Sequence, residues 1–156
     1  MWNRSKSCAP PASVSLLALL ATLLSSTVGA TARAAADTMS VKDTAHLQLL
    51  KASNSTLTEA GKATGTLPGS VQVMLKITGR TASSSFRITA DGGSIWGHGA
   101  GELKLGKGGY ESFGGSLAVD GGSGRFAHAH GSGGLYGTLN RLNDAMTVQV
   151  SGDLRT

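Results

Sequence analysis

The 156-residue chain contains a single cysteine, Cys8. It precedes an apolar run at 14–24 (VSLLALLATLL), whereas lipoprotein processing needs a cysteine that follows such a run. That run has the basic residues Arg4 and Lys6 before it and small residues after it. This is the three-part layout of a secretory signal peptide, and the run is too short to span a bilayer comfortably. Small residues at A-x-A-like positions allow cleavage after Ala30, Ala34 or Ala36. Residues 1–36 are therefore expected to be a signal-peptide helix with a short leader, and the exported chain to keep no membrane span. Cys8 leaves with the signal. The exported chain then has no disulfide, although its compartment would permit one, and its stability must come from a packed core.

Strong charge is lacking too. The whole chain is +5, but loss of Arg4, Lys6 and Arg33 leaves 11 basic residues against 9 acidic ones, about +2. No Lys/Arg cluster and no basic stripe interleaved with aromatics is present, so nucleic acid is not an expected partner. No helix-period segment of useful length follows the signal. That removes the strand–elbow–helix setting of a Gly-x-Ser-x-Gly nucleophile, so Gly122-Ser123-Gly124 and Gly131-Ser132-Gly133 read as turns. It also removes a phosphate loop at 121–124, where no Lys-Ser/Thr follows and no helix N-terminus opens.

Glycine and period-2 alternation fill the space instead. Residues 31–42 show no periodicity and read as a loose leader, with the domain proper at 43–156. Ala45, Leu47 and Leu49 suggest a first strand. Residues 56–66 read as a weaker strand pair, or one strand broken near Gly61. Val71, Val73, Leu75 and Ile77 share one face of a clean strand, and Ser84, Phe86 and Ile88 one face of the next. Asp91-Gly92-Gly93 is a hairpin signal. In the following strand Ile95, Gly97, Gly99, Gly101, Leu103 and Leu105 alternate with Trp96, His98, Ala100, Glu102 and Lys104. A row of bare glycines permits sharp sheet curvature or close packing by a neighbour. Phe113, Leu117 and Val119 line the next strand, and Met146, Val148 and Val150 the last. About eight short strands with glycine turns predict an all-β antiparallel barrel of up-and-down order, with a β-sandwich as the alternative.

The motif Gly121-Gly122-Ser123-Gly124-Arg125-Phe126-Ala127 resembles the Gly-Gly-Thr-Gly-Arg/Lys-Phe/Tyr-Ala motif of the allene oxide cyclase and dirigent-type barrel proteins. Ala129, Gly131 and Leu135 fit the continuation. Residues 56–156, with Gly-Gly-Leu-Tyr-Gly at 133–137, are similar to a group of small secreted actinobacterial proteins of unassigned function. The resemblance implies an eight-stranded barrel, often oligomeric, with a cavity for a small apolar molecule. Plant relatives cyclise an unsaturated fatty-acid epoxide or guide the coupling of phenoxy radicals. None of their catalytic residues matches a position here, so the resemblance carries the barrel and not the activity.

Candidate functional residues cluster at the glycine passage 121–134, where Arg125, Phe126, His128 and His130 lie, and on the strand carrying Trp96, His98 and Glu102. His128 and His130, with His98 or His46, have the nitrogen count of a zinc site, but no cysteine or associated carboxylate reinforces it, and no metal or cofactor is expected. Glu102, Glu111 and Asp120 are candidates for pairing across strands; Glu102 would act as a proton handler if its face were interior. Trp96 and Tyr136 would wall a ligand if inside the barrel and form a subunit or partner surface if outside. The sequence favours a secreted, non-enzymatic barrel that binds a small apolar ligand or a partner. The alternatives are a barrel isomerase or coupling guide acting on a lipid or phenolic compound, and a self-associating envelope protein.

Overall fold

In the computed structural model, residues 37–156 are described; the expected signal and the first half of the expected leader, 1–36, lie outside them. The alternating rows become eight strands: β1 (Thr38–Ser53), β2 (Thr56–Gly65), β3 (Gly69–Thr78), β4 (Thr81–Ala90), β5 (Gly93–Leu105), β6 (Tyr110–Gly124), β7 (His130–Asn140) and β8 (Ala145–Arg155). Each pairs antiparallel with the next, and β1 also pairs with β8, closing the barrel. That last pairing excludes the sandwich. Short turns make the simple order possible. Asp91-Gly92 turns β4 into β5, with Gly92 at φ 79°, a conformation glycine adopts without a Cβ clash.

Two expectations are corrected. Residues 38–42 are not a loose leader, because β1 starts at Thr38 and pairs through Val41 and Lys42 with β8. The strand at 56–65 is also unbroken: Gly61 lies in mid-ladder between Leu47 and Val71. A Cβ on Gly61 would run into the His46 carbonyl of β1, so this glycine is required by close strand approach and marks no turn.

Period 2 separates the wall into two chemistries. The inward rows carry Val41 and Leu47 of β1, Val71 and Val73 of β3, Phe86 and Ile88 of β4, and Met146 and Val148 of β8. The outward rows carry exposed Lys42, His46, Lys62, Gln72, Lys76 and Arg87. This is the reverse of a lipid-embedded barrel, which needs an outward apolar band. Among the described residues no helix is long and apolar enough to cross a membrane.

The glycine row of β5 faces inward, and large side chains from other strands use the space. A Cβ on Gly97 would lie 2.8 Å from Phe86 Cζ, and one on Gly99 3.2 Å from Leu135 Cδ2. Gly137 of β7 leaves room in the same way for the ring of Phe113.

Two apolar clusters form. Phe126 and Ala129 of the β6–β7 turn join Val41, Leu67, Ile95 and Leu154, closing the end of the barrel that carries the β2–β3, β4–β5 and β6–β7 turns. Leu47, Ala63, Val71, Leu139 and Met146 form the other. Leu105, in phase with the row that faces inward, is 83% exposed; it ends β5, where no wall remains to cover it.

Candidate functional site

Between the two clusters the barrel encloses a cavity of about 140 Å³, reached by inward side chains of every strand. Val73, Ile88, Leu117, Leu135, Val148 and Val150 line it and are only partly buried. They face the interior of a closed barrel, so their residual exposure is toward the cavity and not the outer solvent. Its volume is close to that of an engineered apolar cavity of about 150 Å³ that admits benzene. It lies below the roughly 300–1,000 Å³ of sites for drug-sized ligands. Gly101 lines this space directly, and Phe86 and Leu135, seated against Gly97 and Gly99, line it too.

The β6–β7 corner fits the expected role of the glycine passage as a fold-making turn. Phe126 is buried against Gly93 and Gly122, where an added Cβ would meet its side chain at 3.2 and 2.8 Å. Three short backbone bonds set the turn: Phe126 N–H to Ser123, Ala127 N–H to Gly124 and Ala129 N–H to Phe126. Arg125 stacks 4.6 Å over the Phe126 ring, and its N–H donates to the Gly92 carbonyl. Phe126 thus plugs its end of the barrel instead of bordering an open mouth.

The remaining expected site residues lie outside the barrel. Trp96 is half-buried on the outer wall, with Arg87 of β4 5.2 Å over its ring and Gly121 of β6 beneath it. A bulge leaves Asp120 without a register partner beside Trp96 and Gly97, and Asp120 Oδ2 pairs with His98 Nδ1 at 2.8 Å. Both groups are exposed. Glu102 is exposed between Thr81 and Gly114, which removes the interior proton-handler role. Glu111 binds Arg141 at 2.8 Å, so Glu102, Glu111 and Asp120 do not converge. Tyr136 is exposed on β7, beside Gln149 of β8. His130 Nδ1–H donates to the His128 carbonyl at 3.0 Å, while His98 is held by Asp120 and His46 lies against Thr147. Among the described residues no three His, Cys, Asp or Glu side chains are grouped to hold a metal ion.

The interior group that the sequence reading passed over is Glu59 of β2. It is 0% exposed, and among the described residues neither carboxyl oxygen has a hydrogen-bond partner. Burial pushes its pKa up to about 7; the Asp144 carboxylate adds to the rise and the Arg141 guanidinium opposes it. The signal was available. Leu57, Glu59, Gly61 and Ala63 are alternate positions, so once Ala63 is placed inside, Glu59 follows.

The second interior carboxylate, Asp43 of β1, has a structural task. Its Oδ1 accepts from Leu67 N–H at 2.9 Å, and Thr66 exchanges bonds with Lys42 beside it. These contacts fold the β2–β3 turn inward and seat Leu67 in the apolar plug.

Comparison of the chain with protein-family models, curated proteins and solved structures gives no match.

Proposed function

We propose that this chain is an exported, non-enzymatic barrel that binds a compact apolar ligand in its interior, within an allene oxide cyclase- and dirigent-like lineage. The observation that carries the reading is the cavity of about 140 Å³ inside a closed barrel, with partly exposed Val, Leu and Ile side chains on its wall. Protein interiors are ordinarily packed to crystal density, and unfilled apolar surface gains contacts when a ligand of matching size enters. The size supports a single ring or a short branched chain. It does not support a full fatty acyl chain or a pair of phenolic units, which weakens the isomerase and coupling-guide alternative.

Glu59 is the feature that favours that alternative, since a carboxyl titrating near neutrality can move a proton. It does not line the cavity, however, and binding is the simpler use of the space.

Native mass spectrometry of the exported protein checks for a retained small molecule and reports oligomeric state in the same spectrum. Titration with fluorobenzene, followed by fluorine NMR, tests the cavity directly. Leu117 lies between Gly99 and Gly133 in register, so Leu117→Phe has room to extend into the space. The parent should bind fluorobenzene, and Leu117→Phe should bind it at least about tenfold more weakly, a loss of roughly 1.4 kcal/mol, with an unchanged far-UV spectrum. Equal affinity in the two proteins, or no binding by the parent, overturns the reading.

A further inference from the structure

Glu59 is placed where none of the described residues solvates it. Its register partners are Leu49 of β1 and Val73 of β3, and both its oxygens are enclosed without a donor. Val73 and nearby Leu47 and Ala63 also line the cavity, so the strands that enclose this carboxyl form part of the cavity wall.

The charged groups facing Glu59 come from the far turn. Asp144 and Arg141 of the β7–β8 turn act on it, and Arg141 is engaged by Glu111 of β6 at 2.8 Å. The neighbouring inward positions of β1 and β3 supply Leu47, Leu49, Val71, Val73 and Leu75, none of which titrates. Asp43, farther along β1, is occupied with Leu67. Ionised Glu59 therefore meets apolar walls, one repelling carboxylate, and one guanidinium already bound to another acid. A buried carboxylate without donors is strongly disfavoured. It is relieved by reaching water or by drawing Arg141 from Glu111, and either movement disturbs the β1–β2–β3 wall.

We propose that Glu59 is a proton-operated latch on this wall: protonated, it lets the wall close over it; ionised, it drives the wall open and releases the cavity's ligand. The release rests on the cavity being a ligand site, whereas the latch itself does not.

The sign follows from linkage. The folded chain retains the proton over a pH range in which the unfolded chain has released it. The Glu59 contribution to stability is therefore highest below about 4.5, falls as pH rises toward 7, and levels off above that. The corresponding loss in the folding equilibrium lies between tenfold and about 300-fold, the upper figure being the full displacement of the carboxyl without relaxation or water entry.

The test measures urea unfolding and fluorobenzene affinity from about pH 4 to 8.5 for the parent, Glu59→Gln and Asp144→Asn. Every ionisable group other than Glu59 is common to the parent and Glu59→Gln, so the difference between these two proteins isolates Glu59. The parent should lose at least about tenfold in both quantities on going to pH 8.5. Glu59→Gln, which carries no titrating group, should lose neither. Asp144→Asn removes the repelling carboxylate and keeps a residue suited to the positive φ of 52° at that position; its loss of stability should be smaller and level off at lower pH, and its fluorobenzene release should set in at lower pH. It also serves as the test if Glu59→Gln fails to fold. Identical pH profiles in parent and variants overturn the latch. Fluorobenzene binding that is flat with pH overturns the release while leaving the cavity reading intact. A Glu59-dependent unfolding profile with no fluorobenzene bound at any pH supports the latch and removes the cavity reading.

Discussion

Asp43 shows how one polar atom positions apolar surface. Its Oδ1 is the acceptor for Leu67 N–H in a buried setting, and Leu67 is part of the plug with Phe126 and Ile95. Replacing Asp43 by Ala leaves that N–H without a partner, and an unsatisfied buried donor costs about 1–3 kcal/mol. Asp43→Ala should lower the urea midpoint correspondingly with an unchanged m-value, while Asp43→Asn, which keeps an acceptor oxygen, should recover most of the loss. An Asn variant as unstable as the Ala variant would show that charge, and not the hydrogen bond, holds the turn. At this scale the sequence was legible in phase but incomplete in consequence. Ile95 and Leu103 alternate with His98, Glu102 and Lys104, and that chemistry separated the rows correctly. Which row faced inward depended on Phe86 and Leu135 crossing to Gly97 and Gly99, a contact between distant strands that a single strand's pattern does not contain. Glu59 was missed because the strand was read as broken at Gly61, which cut the alternation linking it to Ala63.

Among the elements, the β6–β7 corner was the most legible. A dense run of glycine around one large apolar residue has few other uses, and Phe126 occupies the space left by Gly93 and Gly122. Its histidines are a different matter. His128 and His130 are two apart, which on an extended segment gives a shared face, but both are exposed and His130 is committed to the His128 carbonyl. The two substitutions should therefore separate sharply. Phe126→Ala removes a buried ring from the plug and should cost about 3–5 kcal/mol, with loss of the cooperative transition if the parent is only marginally stable. The double variant His128→Ala/His130→Ala should stay within about 0.5 kcal/mol of the parent and take up the same amount of zinc in a titration. Reduced zinc uptake by the double variant would reinstate a metal role for the corner. The ends of β1 were less legible. Residues 38–42 alternate poorly, and their pairing with residues 151–155 of β8 comes from closure of the whole ring.

For the whole molecule, closure was inferable from strand number, glycine turns and a glycine row that permits strong curvature, whereas the cavity was not. Its volume is the small difference between the room a barrel encloses and the side chains that fill it, and strand tilt and stagger set the first quantity. Closure also makes the fold depend on its last strand in a way an open sheet would not. β8 contributes Met146 to one apolar cluster and Leu154 to the other, and it alone joins β7 to β1. A chain ending after Asp144 loses both contributions and exposes two unpaired edges, a template for pairing with other chains. Such a truncation should abolish the cooperative urea transition and drive the purified protein into aggregates seen by light scattering. Removal of Thr156 alone, beyond the end of β8, should leave the midpoint within about 0.5 kcal/mol of the parent. A truncated chain that still unfolded cooperatively as a monomer would mean that β1 to β7 form a stable open sheet, and that closure serves the cavity instead of the fold. Mixing the truncated chain with a synthetic peptide of residues 145–156 distinguishes the two cases further: if closure holds the fold together, the peptide should restore both the cooperative transition and fluorobenzene binding.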